Sequence, residues 1–294
     1  MDIKKSNTEN SVVIDQYIVP WLQTQNKEHL PEAHFSPANG IPAASYKSFF
    51  QQFESVINIS SMDSRGAWQQ SPKPLEKFTF NDYANDLIIA LKSKYQEPII
   101  GIGHSLGGII TILAANKRPE LFSKLILIDP ASTPSPFANF IFQRMPTWLM
   151  LRCFPFVKGS LNRRQVWQSR EQFYDNYRHH KTFSRFTDRA LSDYAQHGLI
   201  ERKDGLFELV FSPEWESFNF RKVSFLWDHL EKTTQPALLL RAEHNWLYSE
   251  QVFNKHNARL GNNITAKTLE NTSHLMTHEQ TDIVAKEIIA WLEK

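Results

Sequence analysis

The chain reads as an α/β protein: a mostly parallel sheet with helices on both faces, plus a helical cap inserted between two strands. Three observations predict this. Short apolar runs alternate with helical patterns from about residue 30 to residue 130, and again from residue 236 onward. The runs are apolar almost throughout rather than at every second residue, as in strands covered on both faces. Between them, residues 131–235 break the rhythm with aromatic and arginine-rich helical patterns. The expected organisation is a core of residues 1–130 and 236–294 and a cap of residues 131–235.

The elements follow in order. "ESVINISSM" (54–62) predicts a strand, and "FNDYANDLIIALKSKY" (80–95) a helix with Tyr83, Leu87, Ile88 and Leu91 on one face. "PIIGIGH" (98–104) predicts a strand, "LGGIITILAANK" (106–117) a helix, and "SKLILIDP" (123–130) a strand stopped by Pro130. The inserted segment opens with Pro134, Pro136, Pro146 and Pro155, and "SREQFYDNYRHHKTFSRF" and "DRALSDYAQHGLI" then predict helices. Strand "PALLLRAE" (236–243), helix "SEQVFNKHNARLG" closed by Gly261, strand "ITAKTLE" (264–270) and helix "EQTDIVAKEIIAWLEK" complete the chain. An insertion on the C-terminal side of the strands would lie over the sheet edge as a lid. Phe137, Phe140, Phe142, Trp148, Phe154 and Phe156 are its candidate pocket residues, and a mobile cap is expected.

Composition bounds the function. The chain has 294 residues, 41% hydrophobic and 22% charged, as in ordinary globular proteins. A net charge of +2 argues against nucleic acid as a partner. One cysteine, Cys153, excludes an internal disulfide framework. No run gives the roughly 20 uninterrupted apolar residues of a spanning helix. Asp15 and a short apolar run make a poor signal-peptide core, so a cytoplasmic location is the expectation. Residues 152–190 carry nine Lys and Arg against Glu171, Asp175 and Asp188. That excess predicts either solvated helix faces or a weak contact between the basic, aromatic cap and a membrane surface.

The chemistry concentrates at "GIGHSLGG" (101–108), which holds four of the ten glycines. Gly103, Ser105 and Gly107 fit G-x-S-x-G between a predicted strand and a predicted helix. A sharp strand-to-helix turn brings two backbones together, and glycine removes the Cβ atoms that would clash. Ser105 would then stand exposed as a nucleophile. It needs a base, an acid to orient the base, and donors for an oxyanion. His274, in "ENTSHLMTHEQ", is the candidate base because it follows the last predicted strand. His278 four residues later gives H-x-x-x-H, but Leu275 stands where the zinc-protease pattern needs Glu, so no metal is expected. The Leu106 N–H, just after the nucleophile, and the Ile41 N–H, in "HFSPANGIPAASY", are the candidate oxyanion donors.

The order of these parts resembles the α/β-hydrolase superfamily, in its serine esterase and lipase-like branch. "ANGIP" is similar to that superfamily's oxyanion turn, with Asn39 where histidine is commoner. "MDSRGAW" (62–68) resembles its D-x-R-G turn, and "TSHLMTHEQ" its catalytic-histidine loop. The branch usually carries its acid as G-x-x-D after the penultimate strand, where this chain has Ala242-Glu243-His244-Asn245. Asp129, at the end of "LILID", is a position some lipases of this fold use. Glu243 is the other candidate, and a chain without any acid is the third. The resemblance implies a serine hydrolase that needs no cofactor and cleaves a carboxylic ester with an apolar acyl or alcohol part. Carbon–carbon bond hydrolysis, lactone opening, and a non-catalytic ligand-binding or membrane-peripheral protein are the alternatives.

Overall fold

A computed structural model describes residues 10–69, 72–222 and 224–294. Six strands come first: β1 (Ser11–Ile14), β2 (Tyr17–Gln23), β3 (Glu32–Ser36), β4 (Asn58–Met62), β5 (Ile99–His104) and β6 (Phe122–Ile128). Three short strands follow inside the insertion: β7 (Val166–Trp167), β8 (Leu199–Glu201) and β9 (Phe207–Leu209). Then come β10 (Ala237–His244) and β11 (Ile264–Ser273). The main sheet runs β1-β2-β4-β3-β5-β6-β10-β11. β1 pairs with β2, and β2 with β4, antiparallel; every later pair is parallel. The β1–β2 hairpin was not foreseen from the sequence. Its strands bury only every second residue, so they leave no continuous apolar run.

The chain leaves β3 toward β4 on one side and later fills the other side from β5 outward. The sheet therefore has its switch point between β3 and β5, where open α/β sheets place ligands at the strands' C-terminal ends. Helices α1 (Lys47–Phe50), α2 (Phe80–Lys94) and α3 (Leu106–Lys117) cover the first half of the sheet. Side-chain alternation divides the core. Ile99, Leu125, Leu127 and Leu239 pack with α2 and α3, whereas Ile100, Ile102, Ile126 and Leu240 pack on the opposite face.

The insertion runs from the end of β6 to the start of β10 and has two parts. Its first helices are α4 (Pro136–Arg144), α5 (Thr147–Cys153) and α6 (Pro155–Leu161). They bury only Met150, Val157 and Ser160. The later helices α7 (Arg170–Arg178), α8 (Asp188–His197), α9 (Pro213–Arg221) and α10 (Leu226–Leu230) are joined by β7–β9, which form a small antiparallel sheet. That small sheet adds strands to an insertion in which helices were expected and do predominate. Phe173, Leu191 and Tyr194 belong to one core of the main sheet, and Trp215, Phe218 and Leu226 to the other. The later part of the insertion is thus continuous with the core, and only α4–α6 stand outside it. The chain ends with α11 (Glu250–Asn257), α12 (Met276–Glu279) and α13 (Thr281–Leu292).

The turn from β5 into α3 explains the glycine cluster. A Cβ on Gly107 would lie 1.9 Å from the Ser36 carbonyl oxygen, and one on Gly103 would lie 2.3 Å from the Gly107 carbonyl oxygen. β3, β5 and α3 meet there backbone to backbone, so no side chain can enter. Gly159 in α6 faces open space. Gly107→Ala is therefore expected to lower the melting temperature sharply or to abolish soluble folding. Gly159→Ala should raise stability by about 0.5–1 kcal/mol, the ordinary helix preference. Thermal unfolding of both variants measures the contrast.

Three buried histidines set an acid limit. Burial lowers the pKa of His34, His104 and His278 to about 3 each. In the unfolded chain each takes up a proton near pH 6.5. Below that pH the unfolded state holds more protons, so acidification favours unfolding by about 1.4 kcal/mol per pH unit for each histidine. The contribution is complete above the unfolded value and is lost as pH falls from there toward 3. Denaturant unfolding at stepped pH should show this slope, and His34→Gln should reduce it by about one proton.

Candidate active site

The tight turn places Ser105 at φ 55° and ψ −115°, between the end of β5 and the first turn of α3. Two bonds from the neighbouring strand hold the turn: Ser105 N–H donates to the Ile128 carbonyl at 3.0 Å, and Ala131 N–H to the Ser105 carbonyl at 3.2 Å. The Ser105 Oγ lies 2.8 Å from His274 Nε2. His274 Nδ1 lies 2.7 Å from Asp129 Oδ2. The structure therefore brings together Ser105, His274 and Asp129 from the ends of β5, β11 and β6.

Asp129 is fully buried, at φ 40°. Its second oxygen, Oδ1, accepts from the Ala242 N–H at 2.8 Å and from Asn245 Nδ2 at 2.7 Å. Asn245 Oδ1 in turn accepts from the N–H groups of Leu247 and Tyr248. The amide at the usual acid position is thus a donor to the acid next door. Glu243 turns elsewhere, with Oε2 accepting from Asn271 N–H at 2.6 Å.

A hydrogen-bonded relay joins the histidine loop to the turn after β3. Burial keeps His104 neutral, so one ring nitrogen donates and the other accepts. His104 Nε2–H donates to the His274 carbonyl at 2.7 Å, and Nδ1 accepts from the Tyr46 hydroxyl at 2.9 Å. That hydroxyl accepts from Ala38 N–H at 3.0 Å. His278 lies in the core, stacked on Phe186. Among the described residues no group of three His, Cys, Asp or Glu side chains is placed to hold a metal ion.

The turn after β3 is fastened on several sides. Asp63 Oδ1 accepts from Ala43 N–H at 2.6 Å, and burial raises the Asp63 pKa to about 6. Arg65 of the same D-x-R-G stretch bridges Asp86 and Asp15. Asn39 donates to the Glu216 carbonyl and accepts from Asn219 Nδ2, both at 2.9 Å. The Tyr194 hydroxyl donates to the Gly40 carbonyl at 3.3 Å. The Glu216 carboxylate fills the space beside Gly40, at φ 78°, and pairs with Arg163 at 2.5 Å. Ile41 N–H closes the turn onto the Ala38 carbonyl at a long 3.3 Å, and from this turn Asn39 reaches the cavity wall. Sequence reasoning missed Asn219, Glu216 and Arg163, because each is distant in the chain from the turn it supports, and Tyr46, which lies only eight residues from Ala38 but reads as an ordinary core aromatic.

A cavity of about 310 Å³ opens over Ser105 and His274. Leu106, Phe80, Phe142, Phe154, Phe220 and Trp246 are among its walls. Trp246 sits edge-on to His274. Lys222, bonded to the Glu76 carbonyl, brings the one full charge among the described lining residues. Phe142, Phe154 and Phe156 line the cavity as expected from the sequence, but Trp148, Phe137 and Phe140 do not. Phe137 and Phe140 point outward, because α4 turns Ala138 and Phe142 toward the cavity and its other face to solvent, and Trp148 is exposed on α5.

Comparison with known proteins agrees with this architecture. A family model described as "Serine aminopeptidase, S33" matches residues 43–281. The uncharacterized hydrolase YugF of Bacillus subtilis is 22% identical over 253 residues, 85% of this chain and 86% of that protein. The abhydrolase domain-containing protein ACTT2 of Alternaria alternata is 32% identical over 139 residues, 45% of this chain and 47% of that protein. The solved structure of E-2-(acetamidomethylene)succinate hydrolase superposes with a TM-score of 0.76 at 20% identity, over 95% of this chain and 97% of that one. The last is a likeness of fold. With the family model spanning most of the sequence, the chain belongs to the serine aminopeptidase S33 family of α/β-hydrolases.

Proposed function

We propose that this hydrolase cleaves carboxylic esters with an apolar acyl or alcohol part, by way of an acyl-enzyme on Ser105. The observation that carries the reading is the pair of contacts at 2.8 and 2.7 Å, Ser105 to His274 to Asp129, at the floor of an apolar cavity. His274 Nε2 takes the Ser105 proton as Oγ attacks the carbonyl carbon. Asp129 accepts from Nδ1–H, which fixes the tautomer and stabilises the imidazolium that forms. The tetrahedral oxyanion lies against the Leu106 N–H, one of the first helical N–H groups, which have no partner within the helix. The second donor comes from the turn after β3, where Asn39 lines the cavity; Ile41, the donor expected from the sequence, does not line it and spends its N–H on the Ala38 carbonyl. His274 returns the proton to the leaving alcohol, and water then releases the acid by the same steps.

The cavity wall also narrows the substrate. An aminopeptidase must hold a free ammonium group, yet the described wall contains Lys222 and no carboxylate. The succinate-derived substrate in the structural relative's name carries two carboxylates, for which one cation already bonded to Glu76 is a poor match. A chain of apolar carbons suits walls made of phenylalanine and tryptophan.

A fluorophosphonate probe, which labels only an activated serine, is expected to modify the wild-type protein and to leave Ser105→Ala unlabelled and inactive on p-nitrophenyl esters. Asp129→Asn should lower turnover by about 10⁴, the cost of the wrong tautomer. Asn245→Asp should bring no gain, because it sets a second carboxylate 2.7 Å from the first and forces one of them to hold a proton. A many-fold gain from Asn245→Asp together with a mild Asp129→Asn would move the acid to position 245 and overturn the assignment. Phe154→Ala should shift preference toward longer acyl chains, while the outward-facing Trp148→Ala leaves it unchanged; the rate series over ester chain length reads both.

A further inference from the structure

The strongest unexplained feature outside the catalytic groups is the outer face of α4 and α5. Phe137, Phe140 and Trp148 are 74%, 50% and 67% exposed, and Ile141 is exposed beside them. On α4 the residues Phe137, Phe140, Ile141 and Arg144 follow helical spacing and share one side, opposite Ala138 and Phe142 in the cavity wall. On α5, Trp148 and Arg152 lie four residues apart on the exposed side. An isolated exposed apolar residue is ordinary, but a cluster of this kind on one short segment marks an interaction surface.

The charge around the cluster identifies what it meets. From Pro130 to Arg170 the sequence contains no Asp or Glu, but it contains Arg144, Arg152, Lys158, Arg163, Arg164 and Arg170. Arg163 is consumed by the buried pair with Glu216. Arg144, Arg152 and Lys158 form no ion pair among the described residues, and the Arg144 guanidinium lies over the Phe140 ring. Aromatic side chains with a Trp, flanked by unneutralised cations, fit the boundary of an anionic bilayer: the rings enter the headgroup and acyl region while the cations meet lipid phosphates. A second copy of the chain fits worse. A two-fold contact through this face would bring the same cations against one another with no acid to offset them.

We propose that the outer face of α4 and α5 docks on an anionic lipid surface, with Phe137, Phe140 and Trp148 inserted and Arg144 and Arg152 at the headgroups. The inner face of α4 walls the substrate cavity, so docking sets the cavity about one helix diameter, roughly 10 Å, from the lipid. An apolar ester dissolved in the bilayer would then reach Ser105 with little passage through water. That last consequence rests on the esterase reading, whereas the docking does not.

The full chain is mixed with sedimentable vesicles of phosphatidylcholine alone or of phosphatidylcholine with roughly one-third phosphatidylglycerol, at low and at high salt. Co-sedimentation is expected with the anionic vesicles at low salt, with strong weakening by salt and little binding to the neutral vesicles. Arg144→Gln with Arg152→Gln should weaken the partition about tenfold or more. Phe137→Ser with Trp148→Ala should weaken it comparably. Hydrolysis of a short water-soluble ester by both double variants should stay at the wild-type rate, which separates loss of docking from loss of folding or of the catalytic groups. The proposal is overturned if the chain stays in the supernatant with anionic vesicles, or if both double variants bind as the wild type does. It is also overturned if light scattering without lipid shows self-association that the same substitutions abolish, since the face would then be an interface between copies. If docking is seen without any ester hydrolysis, the surface stands and the esterase reading fails.

Discussion

A single buried charge organises the active edge of this sheet. The Asp129 carboxylate is cut off from water, and an ion in that position is tolerable only when its oxygens are met by donors. Three donors meet it: a backbone N–H at the end of β10, the amide of Asn245 just beyond, and the imidazole of His274 beyond β11. Two come from the end of β10 and one from the histidine loop, so satisfying the charge also sets where β6, β10 and that loop end relative to one another. Asp129 is held at a positive φ that few non-glycine residues adopt, with its N–H donating to Leu240 at 2.7 Å. The strain is local, and the neighbouring strand over-determines it. The distance from His274 to Ser105 follows from this arrangement, because the other side of the histidine loop is fixed by His104.

The same reasoning accounts for the division of the insertion. Asn39 and Gly40 stand at the turn that follows β3, and the groups that hold them, Glu216, Asn219 and Tyr194, all belong to α8 and α9. Burial raises the Glu216 pKa and works against charge on Arg163, but their contact and the hydroxyls of Tyr177 and Tyr194 keep the guanidinium charged. Loss of either partner would strand the other, so this part of the insertion cannot lift away without breaking the turn beneath it. α5 and α6 are tied to α9 by other bonds: Ser217 Oγ donates to the Val157 carbonyl at 2.9 Å and Arg221 to Thr147 Oγ1 at 2.6 Å. α4–α6 bury few side chains and contribute mostly cavity wall. The insertion expected from the sequence as one unit thus has two parts, one continuous with the core of the sheet and one that buries few side chains.

How much of this could be read from the sequence depended on the range of the interaction. The β5–α3 turn was legible because its cause is local: two backbones approach within a few residues, and only glycine permits it. The strands β4, β5, β6 and β10 were legible because both their faces are buried, whereas the edge strand β11 shows instead an alternation of half-buried and exposed residues from Ile264 to Thr268. The helix expected over 169–186 ends instead near Arg178, and the one expected to close at Gly261 ends near Asn257. Helix ends depend on caps and tertiary contacts that a periodicity does not register. Short strands such as β7 to β9 give too few residues for an alternating pattern, and β1 and β2 are too exposed for an apolar run. Among the candidate site residues, Ser105 and His274 are legible from local context, whereas Asp129 stands beside Glu243 and a chain without any acid. Nothing local in the sequence separates these cases, because the deciding fact is which carboxylate lies between two strands that are neighbours in the sheet and far apart in the chain.

That adjacency also explains how an amide can occupy the usual place of the acid. β6 and β10 pair in register from Leu125 with Ala237 to Ile128 with Leu240, so their C-terminal ends emerge side by side. Either end can present a side chain to the same histidine nitrogen. What the site fixes is the charge: one carboxylate and one neutral donor, since two carboxylates at 2.7 Å could not both stay ionised and two amides could not stabilise an imidazolium. With the buried carboxylate just after β6, a group that reaches its second oxygen from beyond β10 must donate and not accept, which the Asn245 amide does. Asn245 also uses its own oxygen to cap the turn into Leu247 and Tyr248, a role an aspartate could fill as well. The NH₂ donor is the part an aspartate lacks, and it is the part that Asp129 uses.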